Sequence, residues 1–283
     1  MKTRIISAAV MIAVVFAVLF TGYRYNAFII TAFISLLAGA ATYEILHTIV
    51  KTATVLRKTV ACVYGVAAFF SVSDIFHGVY EKTAFDHKLS LSVAFLAFIT
   101  ILYILIITVS LISEKRDFDI KEIFALLGAP LMYSAAFSAL ECIITRTSGI
   151  YYLLLIINFS SVCDTGAYFT GVTIGKHKLC EHVSPKKTVE GAVGGILLSL
   201  IVSVVLTYAF SISVNIFIML FVTVLMCIVG MLGDLFASII KRSVGVKDYS
   251  NLIPGHGGIL DRFDSMLFIS PAMLSLMLLG IIK

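Results

Sequence analysis

Charge is scarce in this chain. Asp, Glu, Lys and Arg make up 13% of its 283 residues, about half the share found in soluble domains. Tryptophan is absent, which is unusual for a chain so apolar. The five cysteines, Cys62, Cys142, Cys163, Cys180 and Cys227, are odd in number and contain no CxxC pair, which argues against a disulfide framework. No stretch between the apolar runs is long enough to house a soluble domain. The net charge of +5 is too mild to point to a nucleic-acid partner. What is abundant is apolar surface, at 60% of residues and a mean hydropathy of +1.07. These features predict an all-α, polytopic integral membrane protein.

Lys2 and Arg4 precede an apolar run from about Ile5 to Phe20. A signal peptide starts this way, but no small-residue cleavage site precedes Tyr23, so the run is expected to stay as a first transmembrane helix. A spanning helix needs about 20 mostly apolar residues. Further runs at roughly 27–50, 59–79, 89–112, 123–144, 150–174, 189–210, 214–240 and 259–282 bring the expected number of spans to about nine. Sixteen of the 21 Lys and Arg fall in alternate segments that include the N-terminus. The positive-inside rule then predicts a cytoplasmic N-terminus and an outside C-terminus. It also places two polar loops, after the sixth span and after the eighth, on the cytoplasmic side. Residues 1–145 read as a lipid-facing scaffold of about five helices, and residues 146–283 as about four helices carrying the catalytic loops.

The scaffold holds a few ionisable residues. Glu44 and His47 lie three apart in the second span, a spacing that shares a helix face. An intramembrane carboxyl invites a functional hypothesis, although pairing with a neighbouring helix would also explain it. Asp74 and His77 read as interfacial, the run Glu114 to Glu122 as a solvated loop, and Glu141 as exposed at an outer helix end.

The second half carries the motifs. Asp164-Thr165-Gly166-Ala167-Tyr168 is followed by Gly171 and Gly175. Small residues four apart let helices approach closely, but packing does not call for a carboxyl at Asp164. In the loop after it, His177, Cys180 and His182 offer three zinc ligands at a spacing unlike known zinc sites. Phosphate binding is the stronger reading. Ser184, Pro185, Lys186 and Lys187 lead into a helix near Thr188, with Thr188 or Ser184 as its cap and Glu190 in its first turn. Free amides at such a terminus, with lysines beside them, suit an anion.

The eighth span has Asp234, Ser238 and Lys241 on one face, with Gly230 and Gly233 flanking it. Arg242, Lys247 and Asp248 follow. Next come Pro254-Gly255-His256-Gly257-Gly258, whose glycines allow unusual dihedrals near a phosphate, and then Asp261, Arg262 and Asp264. Carboxyl groups from two helices suit Mg2+, which prefers oxygen and is usually completed by substrate phosphates. Simple neutralisation of Lys241, Arg242 and Arg262 is the competing explanation, and it leaves the glycines and His256 unexplained.

These residues resemble a known signature. The run from Ser238 through Lys241-Arg242, Lys247-Asp248 and Pro254-x-His256-Gly257-Gly258 to Asp261-Arg262-Phe263-Asp264 is similar to that of the phosphatidate cytidylyltransferases, or CDP-diacylglycerol synthases. The Asp164 and Ser184–Gly191 motifs look like the same family. The likeness is firm from about Asn158 to Asp264 and only general before that. It implies that CTP and phosphatidate give CDP-diacylglycerol and pyrophosphate. It implies Mg2+ held by Asp234 and Asp261, with Asp264 and Ser238 close by, and allows a second, monovalent cation such as K+. Asp234, Asp261, Lys241 and Asp264 would form the catalytic set. Asp164, Ser184, Lys186, Lys187, Thr188, Glu190, Arg242, Lys247, Asp248, His256, Gly257, Gly258 and Arg262 would bind substrate. The implied setting is the cytoplasmic side of the cell membrane among membrane lipids, and a homodimer is compatible with a chain of this size.

Rival readings remain. A CTP-dependent polyprenol kinase would share the CTP and metal apparatus but release CDP. A transporter would also carry intramembrane Asp and Lys, usually with inverted repeats, and none is visible in this sequence.

Overall fold

Backbone in hydrocarbon must satisfy its own polar groups, and a helix does so within one segment. The computed structural model describes residues 2–50, 53–81, 87–113, 120–181 and 183–282. The charge run at 114–119, and His182 of the weighed zinc set, lie outside the described residues. The chain is an all-α polytopic membrane protein. Among the described residues, eight helices are long and apolar enough to cross a bilayer, and one apolar helix is shorter. Its contacts separate into two units, residues 1–145 with 248–262, and residues 146–247 with 263–283. The loop at 248–262 thus packs with the first unit, although its sequence motif belongs to the second half.

The first unit contains α1 (Lys2–Arg24), α2 (Phe28–Ile49), α3 (Val55–Tyr80), α4 (His87–Ile112) and α5 (Ile120–Ile144). Helices α2, α3 and α5 pack on one another, α4 packs on α3, and α1 on α2. Small residues set the spacing: a side chain at Gly65 would meet Thr42 of α2 and Pro130 of α5. Pro130 cannot donate to the carbonyl one turn back. Tyr103 of α4 supplies the missing donor, its hydroxyl giving a 2.6 Å bond to the Leu126 carbonyl.

Two expectations for this unit are corrected. Glu122 is not part of a solvated loop. It opens α5 buried, 3.6 Å from buried Arg57. Glu141 is not exposed. It accepts hydrogen bonds from Thr31 at 2.7 Å and Ser73 at 2.6 Å, and His77 lies 3.2 Å away. In both places charge in an apolar setting has drawn partners from neighbouring helices instead of reaching water.

The second unit runs through α6 (Gly149–Ile157), a π-turn (Asn158–Val162), α7 (Cys163–Ile174), the strands β1 (Lys178–Cys180) and β2 (Ser184–Thr188), α8 (Val189–Ala209), α9 (Ile216–Ser243) and α11 (Met266–Leu278). Helix α10 (Leu260–Phe263) straddles the two units in sequence. α7 and α8 pack closely because glycine faces glycine. A side chain at Gly166 would meet Gly195 Cα at 3.1 Å, and one at Gly191 would meet the Ala167 carbonyl at 2.7 Å. The π-turn rests on a buried polar cluster in which Asn158 donates to the Ser199 carbonyl and the Ser203 hydroxyl.

Two elements differ from the sequence reading. The stretch after α7 forms an antiparallel hairpin that pairs Lys178 with Thr188 and Cys180 with Ser184. The Val189 amide donates to the His177 carbonyl and closes its base. Glu190 accepts from the amides of Lys176 and His177. Pro185 is tolerated because a two-stranded hairpin is all edge. The ninth run is interrupted at Asp264 and Ser265, where Asp264 Oδ1 accepts the Ser265 amide at 2.7 Å. That leaves α11 with 13 residues, fewer than the ~20 needed to span alone.

Candidate active site

In the second unit, α9 carries the decisive face. Its 28 residues rise about 42 Å at ~1.5 Å each, more than the ~30 Å hydrocarbon core. Asp234, Ser238 and Lys241 occupy its final turns. Gly230 and Gly233 let neighbours approach: a side chain at Gly233 would meet the Asp264 carbonyl at 3.1 Å and the Phe268 ring at 2.9 Å. Asp264 is thereby brought beside Asp234. Burial first, and then the facing Asp234, push the Asp264 carboxyl up to about 7, against the opposing pull of the Ser265 amide and Lys241. Lys241 is itself 8% exposed. Lys187, reaching from β2, forms an ion pair with Asp234 Oδ2.

Asp234 and Lys187 line a cavity of ≈ 260 Å³ together with Asp164, Ser184, Lys186 and Thr188, with Gly191, Ala167 and Ala192 and the larger Tyr168, Leu179 and Met231. Thr188 caps α8, its hydroxyl accepting the Gly191 amide at 3.1 Å. Its side chain fills the space left by Gly171 and Gly175. The hairpin therefore brings two lysines and two hydroxyls into one space with Asp164 of α7 and Asp234 of α9. Glu190 is not among the lining residues. Besides the two amides it meets His177 Nδ1 at 2.5 Å and so ties down the hairpin's entry. Arg242 is exposed and donates to the Val246 carbonyl at 3.0 Å, and Lys247 is exposed.

In the first unit, the glycine-rich loop closes on two carboxyl groups. Asp261 Oδ2 accepts the Tyr249 and Gly258 amides, each at 2.9 Å. Glu44 of α2 accepts the Ser250 hydroxyl at 2.7 Å and the Ile259 and Leu260 amides at 2.9 Å. Gly257 has φ +85°, and a side chain there would meet Asp261 Oδ2 at 2.9 Å. At Gly258 it would meet Glu44 Oε2 at 2.6 Å. The room at these two glycines is therefore filled by carboxyl groups of the protein itself. Asp248 and Arg262 are exposed. His256 Nδ1 is buried and has no hydrogen-bond partner among the described residues. α1 also reaches the loop: Ser7 donates to the Pro254 carbonyl at 2.7 Å, and Arg4 lies against Gly255.

Sequence reasoning set Glu44 and His47 on one helix face, but the structure gives them different surroundings. His47 is exposed and stacks on Tyr43. Glu44 acts instead with Thr48, whose hydroxyl reaches the Tyr249 carbonyl at 3.0 Å. The signal for Glu44 was its position, a carboxyl deep in an apolar run. Tyr168 stood in the quoted Asp164 motif without a role of its own, whereas Met231 gave no signal, since apolar residues in apolar runs look alike.

Among the described residues, no three His, Cys, Asp or Glu side chains gather closely enough to hold a metal ion by themselves. The Asp234 and Asp264 pair nevertheless fits Mg2+, which commonly takes one or two carboxylates and completes its shell with phosphates and water. Asp234 also holds Lys187, so the two acids already meet one cationic side chain.

The chain is similar to curated proteins named phosphatidate cytidylyltransferase. It is 43% identical over 137 residues to one from Staphylococcus saprophyticus, covering 48% of this chain and 52% of that protein. Over 127 residues it is 43% identical to one from Staphylococcus haemolyticus and 42% identical to one from Staphylococcus aureus, covering 45% of this chain and 49% of each relative. The chain thus spans about half the length of the curated relatives it matches. The family model is matched far more broadly, over residues 2–279, and the chain belongs to the cytidylyltransferase family.

Proposed function

We propose that this protein transfers a cytidylyl group from CTP to phosphatidate, giving CDP-diacylglycerol and pyrophosphate. The observation that supports this best is the cavity of the second unit, where Lys186, Lys187, Ser184 and Thr188 share one space with Asp164 and Asp234. A phosphatidate oxygen attacks the α-phosphorus of CTP. The bond from that phosphorus to the bridging oxygen breaks, and its electron pair leaves with pyrophosphate. The lipid phosphate is already ionised, so the reaction asks for no strong base.

Both reactants are anions, and the protein's task is to position them and offset their charge. Lys186 and Lys187 take phosphate oxygens in the cavity, and the hydroxyls of Ser184 and Thr188 fix their orientation. Lys241 offsets the charge of Asp264 and contacts phosphate. Asp234 and Asp264, with Ser238 one turn along, would hold Mg2+, which when bound neutralises charge building on the phosphate oxygens. Asp261, Arg242, Lys247, Asp248, His256 and Arg262 enter the proposal through the sequence resemblance, as does a monovalent cation such as K+. Acyl chains stay in the bilayer, and CTP comes from the cytosol to a site on the cytoplasmic side of the cell membrane.

The test is purified protein in detergent with labelled CTP, phosphatidate and Mg2+, with and without EDTA. CDP-diacylglycerol and pyrophosphate forming only without EDTA is the expected result. Release of CDP would make the protein a kinase, and no turnover of either kind would remove the reading.

A further inference from the structure

Glu44 has no counterpart in the mechanism above, yet it is the only carboxyl group of α2 and is 4% exposed. Its two oxygens accept from Ser250, Ile259 and Leu260, on both flanks of the Pro254–Gly258 turn. One turn further along α2, Thr48 holds the Tyr249 carbonyl. Glu44 therefore grips the start and end of the segment 249–260 from outside, while Asp261 grips it from within through Tyr249 and Gly258. The two grips interlock, because Gly258 donates to Asp261 while its missing side chain makes room for Glu44. Holding Leu260 also fixes the first turn of α10, which carries Asp261 and Arg262.

We propose that Glu44 is a positioning residue that sets the conformation of the 249–262 loop for its part in the reaction. This rests on the cytidylyltransferase reading. Glu44 touches no substrate; it acts through Ile259, Leu260 and Ser250. Carboxyl groups that orient a working residue typically contribute about 10- to 100-fold in activity. A carboxamide at this position would keep one accepting oxygen and turn an N–H2 toward a donor.

The test uses the full-length protein in detergent. It reads kcat and KM for CTP and phosphatidate, thermal stability, and hydrogen exchange at the amides of Tyr249, Gly258, Ile259 and Leu260. Glu44→Gln should lower kcat/KM about 10- to 100-fold and speed exchange at Ile259 and Leu260, leaving exchange in α3 and α5 unchanged. Gly258→Ala, which displaces the Glu44 carboxyl, should reproduce both effects, and the double variant should be little worse than either single one. Ser250→Ala, which keeps both amide bonds, should cost less than about threefold. If Glu44→Gln fails to fold, Gly258→Ala and Ser250→Ala carry the test. Wild-type kinetics in a folded Glu44→Gln or Gly258→Ala protein overturns the proposal. So does lost activity with unchanged loop exchange, or faster exchange spread evenly over the first unit. The exchange readout needs no turnover, so an inactive wild type with the loop effect intact would refute the reaction and leave the grip on the loop standing.

Discussion

In the first unit, Glu44 and Asp261 meet donors: a serine hydroxyl and the amides of Tyr249, Gly258, Ile259 and Leu260. In the second, Asp234 and Asp264 meet each other and the charges of Lys187 and Lys241. The same side-chain chemistry serves two ends. A carboxyl group surrounded by amides is satisfied and gives a loop its shape. Two carboxyl groups pressed together remain in conflict, and such conflict persists where function requires it. The contrast can be broken by removing one acid at a time.

Asp234→Asn should have the largest effect. It removes the acid that meets Lys187, Asp264 and the cavity together, and turnover should fall by at least about 100-fold. Stability should change little, since repulsion is lost along with the ion pair. A near-normal rate in the folded variant would erase the distinction between the two acid groups.

Asp264→Asn should cost activity comparably and carry a pH signature. The Asp264 carboxyl stands at about 7 in the folded protein against 3.8 ordinarily. A raised acid binds its proton more tightly when folded, so its contribution to stability is complete below about 4 and is lost as pH rises through about 7. In EDTA, the melting temperature of the wild type should therefore decline over that window. The variant should decline less. Equal slopes would mean that Asp264 does not hold its proton more tightly in the folded protein.

Much of this was legible in the sequence, for reasons that differ by element. Length and apolarity delimit a spanning helix, so α2 to α5, α8 and α9 lie within a few residues of the runs read from composition. The face of Asp234, Ser238 and Lys241 follows from helical periodicity. The hairpin was illegible because its pairing is fixed by Glu190 and His177 across its base, not by strand propensity. The burial of Glu122 and Glu141 was illegible because their partners, Arg57 and the trio of Thr31, Ser73 and His77, come from other helices. The break before α11 was hidden because Asp264 sits in a run whose apolarity suggests continuity. Glu44 was visible as an anomaly, but its partners lie over 200 residues away in the chain.

Lys241→Ala sharpens the comparison from the basic side. Lys241 is buried and offsets the charge of Asp264. A charge-assisted contact is worth about 1.5–3 kcal/mol, so KM for CTP or phosphatidate should rise about 10-fold or more. If kcat alone fell, Lys241 would be acting only in the transition state. Unchanged kinetics would leave it as a counter-ion of the acids.

The smallest effect on activity should come from Glu141→Gln, although this residue is the more deeply buried. Depth in an apolar helix suggests function by default, and by that criterion Glu141, 2% exposed, outranks Asp264. Its surroundings point the other way. Thr31, Ser73 and His77 reach its oxygens from α2 and α3, the same arrangement of satisfied bonds that Glu44 shows. The carboxamide would retain one acceptor and set an N–H2 against donors, at a cost of about 1–3 kcal/mol. Chemical denaturation should register that loss, while turnover per folded molecule stays at the wild-type level. A folded Glu141→Gln protein with impaired turnover would mean that a satisfied acid bears on the reaction even where, unlike Glu44, it joins helices and holds no loop.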